Sequence, residues 1–262
     1  MKRVGFDADA TARALLQVWR SGELLRELPP ELRPETLEEG YEAQDSLQAA
    51  AQAARAGWKL GVGSPAQMCA GKLSRPLVGQ LDGARLHGPG SHIALPSADP
   101  VTIECEIAFV LARDLPPVRG RALMDGDVLH SCVTFEVVRS RFADRRAVGW
   151  PSFAADNVGF EALVVGAAVC AGVNPNALRS LNDSAVVYVD GQPRASALSG
   201  ESATDPLMSL GYLLAHASER GITLRAGDIV STGAMCQPFD LVGLGHHVRV
   251  THAYGELSFT CG

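Results

Sequence analysis

Long apolar runs are missing from the sequence: none approaches the ~18–20 residues that a membrane-spanning helix needs. An excess of basic charge is missing too. Lysine and arginine number 23 against 29 aspartates and glutamates, a formal net charge of -6, which leaves no electrostatic footprint for nucleic acid or an anionic membrane surface. The six cysteines (Cys69, Cys105, Cys132, Cys170, Cys236 and Cys261) are scattered, with no close pair at metal-ligand spacing. Several have apolar neighbours, which points to buried free thiols in a reducing compartment. The start, Met1-Lys-Arg-Val-Gly-Phe-Asp7, lacks the apolar core of a signal peptide. A cytoplasmic location is the expectation. What is present, 262 residues at 47% hydrophobic and 20% charged, is ordinary globular composition for one large domain or two small ones.

Residues Asp7 to Leu28 read as an amphipathic helix, with Ala14, Leu15, Val18, Leu24 and Leu25 inward and Pro29-Pro30 as its end. A second helix starts at Thr36, where Thr36-Leu-Glu-Glu39 fits a capping box, and runs to Gly57. Residues 1–57 thus form a helical cap on a β-rich body, 58–262, the two making one continuous domain. Within the body, Gly57–Ser64 and Pro76–Asp82 read as extended, Val118–Cys132 as holding a short helix, and Ser131–Val138 as a strand. Asp144–Phe153 is an arginine-rich polar loop. Gly159–Val169 and Ala185–Val189 read as strands, the latter followed by the hairpin pair Asp190-Gly191. Asp205–Arg220 is a helix with Leu207, Leu210, Leu213 and Leu214 as its apolar stripe. Gly227–Ala234, Val248–Val250 and Glu256–Phe259 complete the sheet. Strands and helices mix without a regular βαβ rhythm, so the fold class is α+β.

The stretch with most chemistry is Val101-Thr-Ile-Glu-Cys-Glu-Ile-Ala-Phe-Val-Leu111, an apolar and β-branched strand between proline-marked breaks. Alternation puts Ile103, Cys105, Ile107 and Phe109 on one face and Glu104, Glu106, Ala108 and Val110 on the other. Neighbouring carboxylates on such a strand repel, and burial adds a further cost. Two arrangements relieve this: an edge strand whose glutamates face water, which the stretch alone favours, or a bound hard cation. Glu136, on Ser131–Val138, is a third carboxylate among apolar neighbours. If the two strands adjoin, the trio makes an oxygen site for Mg²⁺ or Mn²⁺ with positions open to a chelating substrate. No histidine falls in either strand as read, which disfavours Zn²⁺.

Several spaced motifs then occur in one order. They are Gly57-Trp-Lys-Leu-Gly61 with Ser64, Gly79-Gln-Leu-Asp82, Glu104-Cys-Glu-Ile-Ala-Phe109 and Phe135-Glu-Val-Val-Arg-Ser-Arg141. Ala155-Asp-Asn157 and Leu224-Arg-Ala-Gly-Asp-Ile-Val-Ser-Thr-Gly-Ala234 follow. From about residue 10 to the end, the chain resembles the 2-hydroxypenta-2,4-dienoate hydratase and 4-oxalocrotonate decarboxylase family of the fumarylacetoacetate hydrolase superfamily.

The resemblance implies a mixed β-sheet roll with an N-terminal helical cap, assembled as a homo-oligomer or as a complex with a paralogous hydratase or decarboxylase. It implies Mg²⁺ (or Mn²⁺) on Glu104, Glu106 and Glu136, catalytic Lys59 and Asp82, and substrate contacts from Ser64, Arg141, Asn157, Thr232 and Gly233. The implied substrate is a small 2-oxo or 2-hydroxy-dienoic acid whose carboxylate and 2-oxygen chelate the metal. The implied reaction is hydration through a metal-stabilised enolate in aromatic meta-cleavage degradation. Decarboxylation or C–C hydrolysis of a related 2-oxo acid is the alternative, and a non-catalytic structural partner of an active paralogue a third. The chain departs from the family at Arg139, where Asp is common, at Val158-Gly-Phe160, at Gly200–Asp205 and at Leu244-Gly-His-His247. Residue by residue, Asp82 before Gly83 also fits a simple turn, Thr232-Gly233 a tight structural turn, and Arg145-Arg146 a short solvated loop.

Overall fold

In the computed structural model, which describes residues 5–262, the Val101–Leu111 stretch is a central strand rather than an edge. Met1–Val4 lie outside the described residues, so the reading of the chain start rests on sequence alone. The strands among the described residues are β1 (Arg55–Gly61), β2 (Leu77–Asp82), β3 (Leu86–His87), β4 (His92–Ile93), β5 (Val101–Leu111), β6 (Val128–Val138) and β7 (Phe160–Ala171). They continue with β8 (Val186–Val189), β9 (Gln192–Ser196), β10 (Ile229–Ala234), β11 (Phe239–Leu241), β12 (His246–His252) and β13 (Gly255–Cys261). The helices are α1 (Ala8–Ser21), α2 (Leu37–Ala51), α3 (Pro65–Gly71), α4 (Gly149–Ala155), α5 (Pro175–Ser184) and α6 (Pro206–Glu219).

An eight-stranded mixed sheet runs β2-β1-β10-β5-β6-β7-β3, with β11 also paired to β5. Sequence predicts that the last strands, β12 and β13, close this sheet, and they do not. They build a second, five-stranded one in the order β4-β13-β12-β8-β9. The two sheets share a core: Ile103, Cys105, Ile107 and Phe109 of β5 and Phe135 of β6 pack with Val248, Val250, Leu257 and Phe259. The Phe135 and Phe259 rings lie 5.3 Å apart. That burial fixes the register of β5, because a slip by one residue would swap its apolar and acidic faces. The acidic face is left on the opposite side of the sheet.

The helices begin where side chains cap them. Asp7 caps α1, Thr36 caps α2 and Asp205 caps α6. Their ends differ from the sequence expectation. Gly22, at φ 77, stops α1 well before the prolines, so Leu15 and Trp19 are buried while Leu24 is exposed. Gln52 adopts the left-handed conformation after Ala51, and the chain has become strand by Gly57. Val118–Cys132 holds no helix; it turns onto a buried Asp127 that Arg113 and Arg121 bind, and then enters β6. Two unforeseen helices, α3 and α5, start at Pro65 and Pro175 behind the caps Ser64 and Asn174. Within the arginine-rich loop, residues from Gly149 onward form α4.

Buried polar contacts tie the N-terminal helices to the sheet. Gln44 of α2 donates to the Val78 and Ala154 carbonyls at 3.0 and 2.8 Å. Trp19 of α1 donates to Glu161 of β7 at 3.0 Å, under the guanidinium of Arg141. Gly57 permits the close approach of β1 to β10: at φ 153, an added Cβ would sit 2.0 Å from the Ile229 carbonyl oxygen. A Gly57→Ala chain therefore loses on the order of 3 kcal/mol or more of stability by urea denaturation. Wild-type stability in that variant would show that β1 and β10 adapt freely.

Candidate metal and active site

Antiparallel pairing of β5 with β6 sets Glu104 directly opposite Glu136, and Glu106 opposite Thr134. Opposed residues share a sheet face, so the three glutamates meet. A carboxylate oxygen from each of Glu104, Glu106 and Glu136 lies within 4.8 Å of the others. Glu106 and Glu136 are fully buried. β1 pairs parallel with β10, which places Lys59 beside Ser231 on this face. The Lys59 Nζ, 2% exposed, is 3.0 Å from Glu136 Oε1 and donates to the Val158 carbonyl at 3.1 Å.

Glu106 is held by two donors, Ser231 Oγ at 2.6 Å and the Gly233 backbone N–H at 2.9 Å, both on Oε2. A register shift in β10 between Ser231 and Ala234 and the φ of 104 at Gly233 present that N–H. Glu106 Oε1 and Glu136 Oε2 are buried without a hydrogen bond, and Glu136 Oε1 meets only the Lys59 ammonium. Burial pushes the Glu106 carboxyl well above its ordinary range, reinforced by the charges of Glu136 and Glu104. Burial likewise raises Glu136, against the pull of Lys59, to about 7. Donor-less buried oxygens of Glu106 and Glu136, converging with a Glu104 oxygen, fit a hard divalent cation: it takes oxygen ligands and removes the repulsion.

A cavity of about 420 Å³ opens onto this group. Glu104 and Lys59 line its inner end, Val62, Trp150, Phe153 and Val158 its apolar walls, and Arg145 and Arg146 its remaining side. Val62 and Val158 hold left-handed backbones, φ 59 and 53, which β-branched residues rarely adopt. Such strain collects at functional sites.

The other residues expected at the site are placed unevenly. Ser64 caps α3 and shares a capping box with Gln67, which lines the cavity. Asp82 does not reach the cavity; it accepts the Ala84 N–H at 3.1 Å and caps a short turn. Arg141 is wholly buried away from it, bound to Asp156 through Nε and to the Phe160 carbonyl at 2.9 Å. Asn157 clamps the backbone of Gln80, accepting at 2.7 Å and donating at 2.9 Å. Thr232 Oγ1 donates to the Ile107 carbonyl at 2.7 Å, tying β10 to β5. Sequence reasoning passed over Ser231, whose neighbour Thr232 drew attention instead. It also left Arg145, Arg146 and Trp150 in a solvated loop, since only the fold of Asp144–Phe153 turns them toward the glutamates.

The family model described as fumarylacetoacetate (FAA) hydrolase C-terminal matches residues 51–261. A 2-keto-4-pentenoate hydratase of Paraburkholderia phymatum is 29% identical over 198 residues, covering 74% of this chain and 73% of that protein. Another, from Burkholderia vietnamiensis, is 29% identical over 183 residues, covering 68% and 67%. The chain superposes on 4-oxalocrotonate decarboxylase from Pseudomonas putida G7, complexed with magnesium and adipate, with a TM-score of 0.84. That match covers 97% of both chains at 20% identity and establishes the fold. No described helix is long and apolar enough to cross a membrane.

The raised carboxyls have a measurable consequence without metal. Above the ordinary glutamate value of ~4.3, the folded chain keeps protons that the unfolded chain has released. Stability from Glu136 therefore falls as pH rises from that ordinary value through about 7. His216, buried and lowered to about 3, works in the opposite direction below its ordinary value. A comparison with Glu136→Gln separates the two. In EDTA, that variant gains about 1–3 kcal/mol on wild type between pH 5 and 8. A pH-independent difference in urea titrations would contradict the assigned strain.

Proposed function

The chain belongs to the fumarylacetoacetate hydrolase C-terminal family, and from that premise we propose that it is a divalent-metal-dependent lyase. Specifically, it adds water to a 2-hydroxy-2,4-dienoate, with Glu104, Glu106 and Glu136 as the metal ligands and Mg²⁺ (or Mn²⁺) as the ion. The observation that carries this reading is the convergence of three carboxylates within 4.8 Å, with Glu106 Oε1 and Glu136 Oε2 buried without donors and a buried lysine 3.0 Å from Glu136 Oε1. The curated relatives named 2-keto-4-pentenoate hydratase support the choice of hydration.

When bound, the cation would be chelated by the substrate carboxylate and adjacent 2-oxygen and would withdraw electron density from them. Ser231 and the Gly233 N–H orient Glu106, leaving its Oε1 directed to the ligand group. Lys59 is the proton carrier: its Nζ lies beside Glu136 and lines the cavity. Protonation of the dienol at its terminal carbon gives a conjugated ketone, to which water adds at the neighbouring carbon, the β-position of the enone. The apolar wall of Trp150, Phe153 and Val158 shields this region from bulk water. Asp82, as placed, serves the β2 turn and takes no step in this scheme.

The six free thiols support a reducing, cytoplasmic setting, and the helical region that precedes β1 acts as one unit with the β-rich body. Assembly with further copies or with a paralogue belongs to the same proposal, with the exposed Val242 and Leu244 as available apolar surface. Decarboxylation of a related 2-oxo acid uses the same machinery, and product analysis separates the two.

The test is turnover of 2-hydroxypenta-2,4-dienoate with Mg²⁺, followed by loss of dienol absorbance and product mass. A product heavier by one water that forms only with metal is expected; release of carbon dioxide from a dicarboxylate analogue, with no hydrated product, would replace the hydratase reading. Lys59→Ala is expected to keep metal binding and lose about 10²–10⁴-fold in turnover. Turnover at the wild-type rate would remove the lysine from the mechanism. Glu106→Gln is expected to abolish turnover while its circular dichroism stays native, and retained metal-dependent activity would overturn the ligand assignment.

A further inference from the structure

A second cavity, of about 500 Å³, lies outside the one beside the glutamates, and the two share no lining residue among those described. α3 is the partition between them. Pro65 and Met68 line the second cavity, whereas Gln67, Ala70 and Gly71 line the first. Thr204 extends the partition: a Cβ added to Gly233, the residue whose N–H holds Glu106, would meet Thr204 Cγ2 at 3.1 Å. The second cavity thus borders the metal-site strands from outside without opening onto the glutamates.

Its walls are largely apolar: Met68 of α3, Leu178 of α5, and Leu207, Met208 and Tyr212 of α6. A few polar groups among them are unengaged. Ser209 of α6 is 2% exposed, and its hydroxyl makes no hydrogen bond with a described residue. A buried hydroxyl calls for a partner, which a bound molecule or water can supply. The Tyr212 hydroxyl also has no described partner, and Asn182 uses only its Nδ2, on the Leu198 carbonyl at 3.4 Å. Arg179 of α5 is exposed at the rim, and no described carboxylate pairs with it. Asp205, the one acidic residue of the described lining, is committed elsewhere. Its Oδ1 accepts the N–H groups of Leu207 and Met208 at 2.9 and 3.0 Å and caps α6.

Apolar walls around a few convergent polar groups are the composition of a small-molecule site. One free guanidinium, with no second cation in the described lining, selects a single carboxylate, to which its fork donates two parallel bonds. The thioethers of Met68 and Met208 and the ring of Tyr212 favour an aromatic body over an aliphatic one. We propose that this cavity is a second ligand site of the chain, one that takes an aromatic monocarboxylate with its carboxylate on Arg179 and its ring among Met68, Met208 and Tyr212. The site stands on its own residues and is independent of the metal reading.

The test titrates the full chain in EDTA with 4-fluorobenzoate and follows the fluorine magnetic resonance line, so that carboxylates held by a metal do not contribute. Wild type is expected to saturate below about 10 mM, and the neutral 4-fluorobenzamide to bind about threefold to tenfold more weakly. Arg179→Gln, at an exposed position that leaves the fold intact, is expected to bring 4-fluorobenzoate down to the level of the amide. Arg146→Gln, at the rim of the first cavity, is expected to leave it unchanged. No saturation in wild type, or equal affinity for acid and amide, overturns the proposal. So does an unchanged affinity in Arg179→Gln, or a loss of binding in Arg146→Gln, which would put the probe in the first cavity.

Discussion

Three carboxylates held within 4.8 Å on the inner strands of a sheet, against one lysine at 3.0 Å, are the constraint on which the rest of the architecture turns. Left alone, such a group repels itself and loses hydration that its hydrogen bonds do not restore. Only an extensive apolar core on the other face of the same strands can hold it in place. The structure has that core: Ile103, Cys105, Ile107 and Phe109 are buried between the two sheets. The price of the site is thus met by the opposite side of one strand, and the alternation of β5 couples fold to chemistry.

Around that strand, each neighbour makes a definite contribution. β6 brings Glu136 across, β10 brings Ser231 and the Gly233 N–H, and β1 brings Lys59. The loop that ends in α4 supplies arginines and aromatic wall. Residues such as Arg141 and Asn157 act one layer farther out. Arg141 with Asp156 fixes the segment leading to Val158, and Asn157 locks that segment to β2. They hold the carbonyl that receives Lys59 rather than touching the cavity.

The part of this legible in the sequence was the part encoded by local alternation. The period of two along Val101–Leu111 separated the acidic face from the apolar one, and the ordered motifs supplied Lys59 and Glu136. Local pattern carried less where tertiary contacts decide. Nothing around Asp82 distinguishes a turn cap from a catalytic acid, because Asp-Gly serves both. Arg141 looks like a substrate-binding cation until Asp156 is seen beside it. α3 and α5 escaped notice because each is short and begins with proline, which reads as a breaker unless the preceding Ser64 or Asn174 is recognised as a cap. Arg145 was invisible for the opposite reason: its polar loop carries no periodicity, and only Thr102 and the fold of the loop bring it to the glutamates.

The most direct measurement of the central claim is Mn²⁺ titration of metal-free protein by electron paramagnetic resonance, with proton release followed in weak buffer. The account predicts one tightly held Mn²⁺ per chain, with protons released near neutral pH as the raised carboxyls ionise onto the metal. It also predicts that Glu136→Gln weakens the binding by about tenfold or more. Wild-type protein that holds no Mn²⁺ at millimolar concentration, or a Glu136→Gln chain that binds it unchanged, would contradict the account.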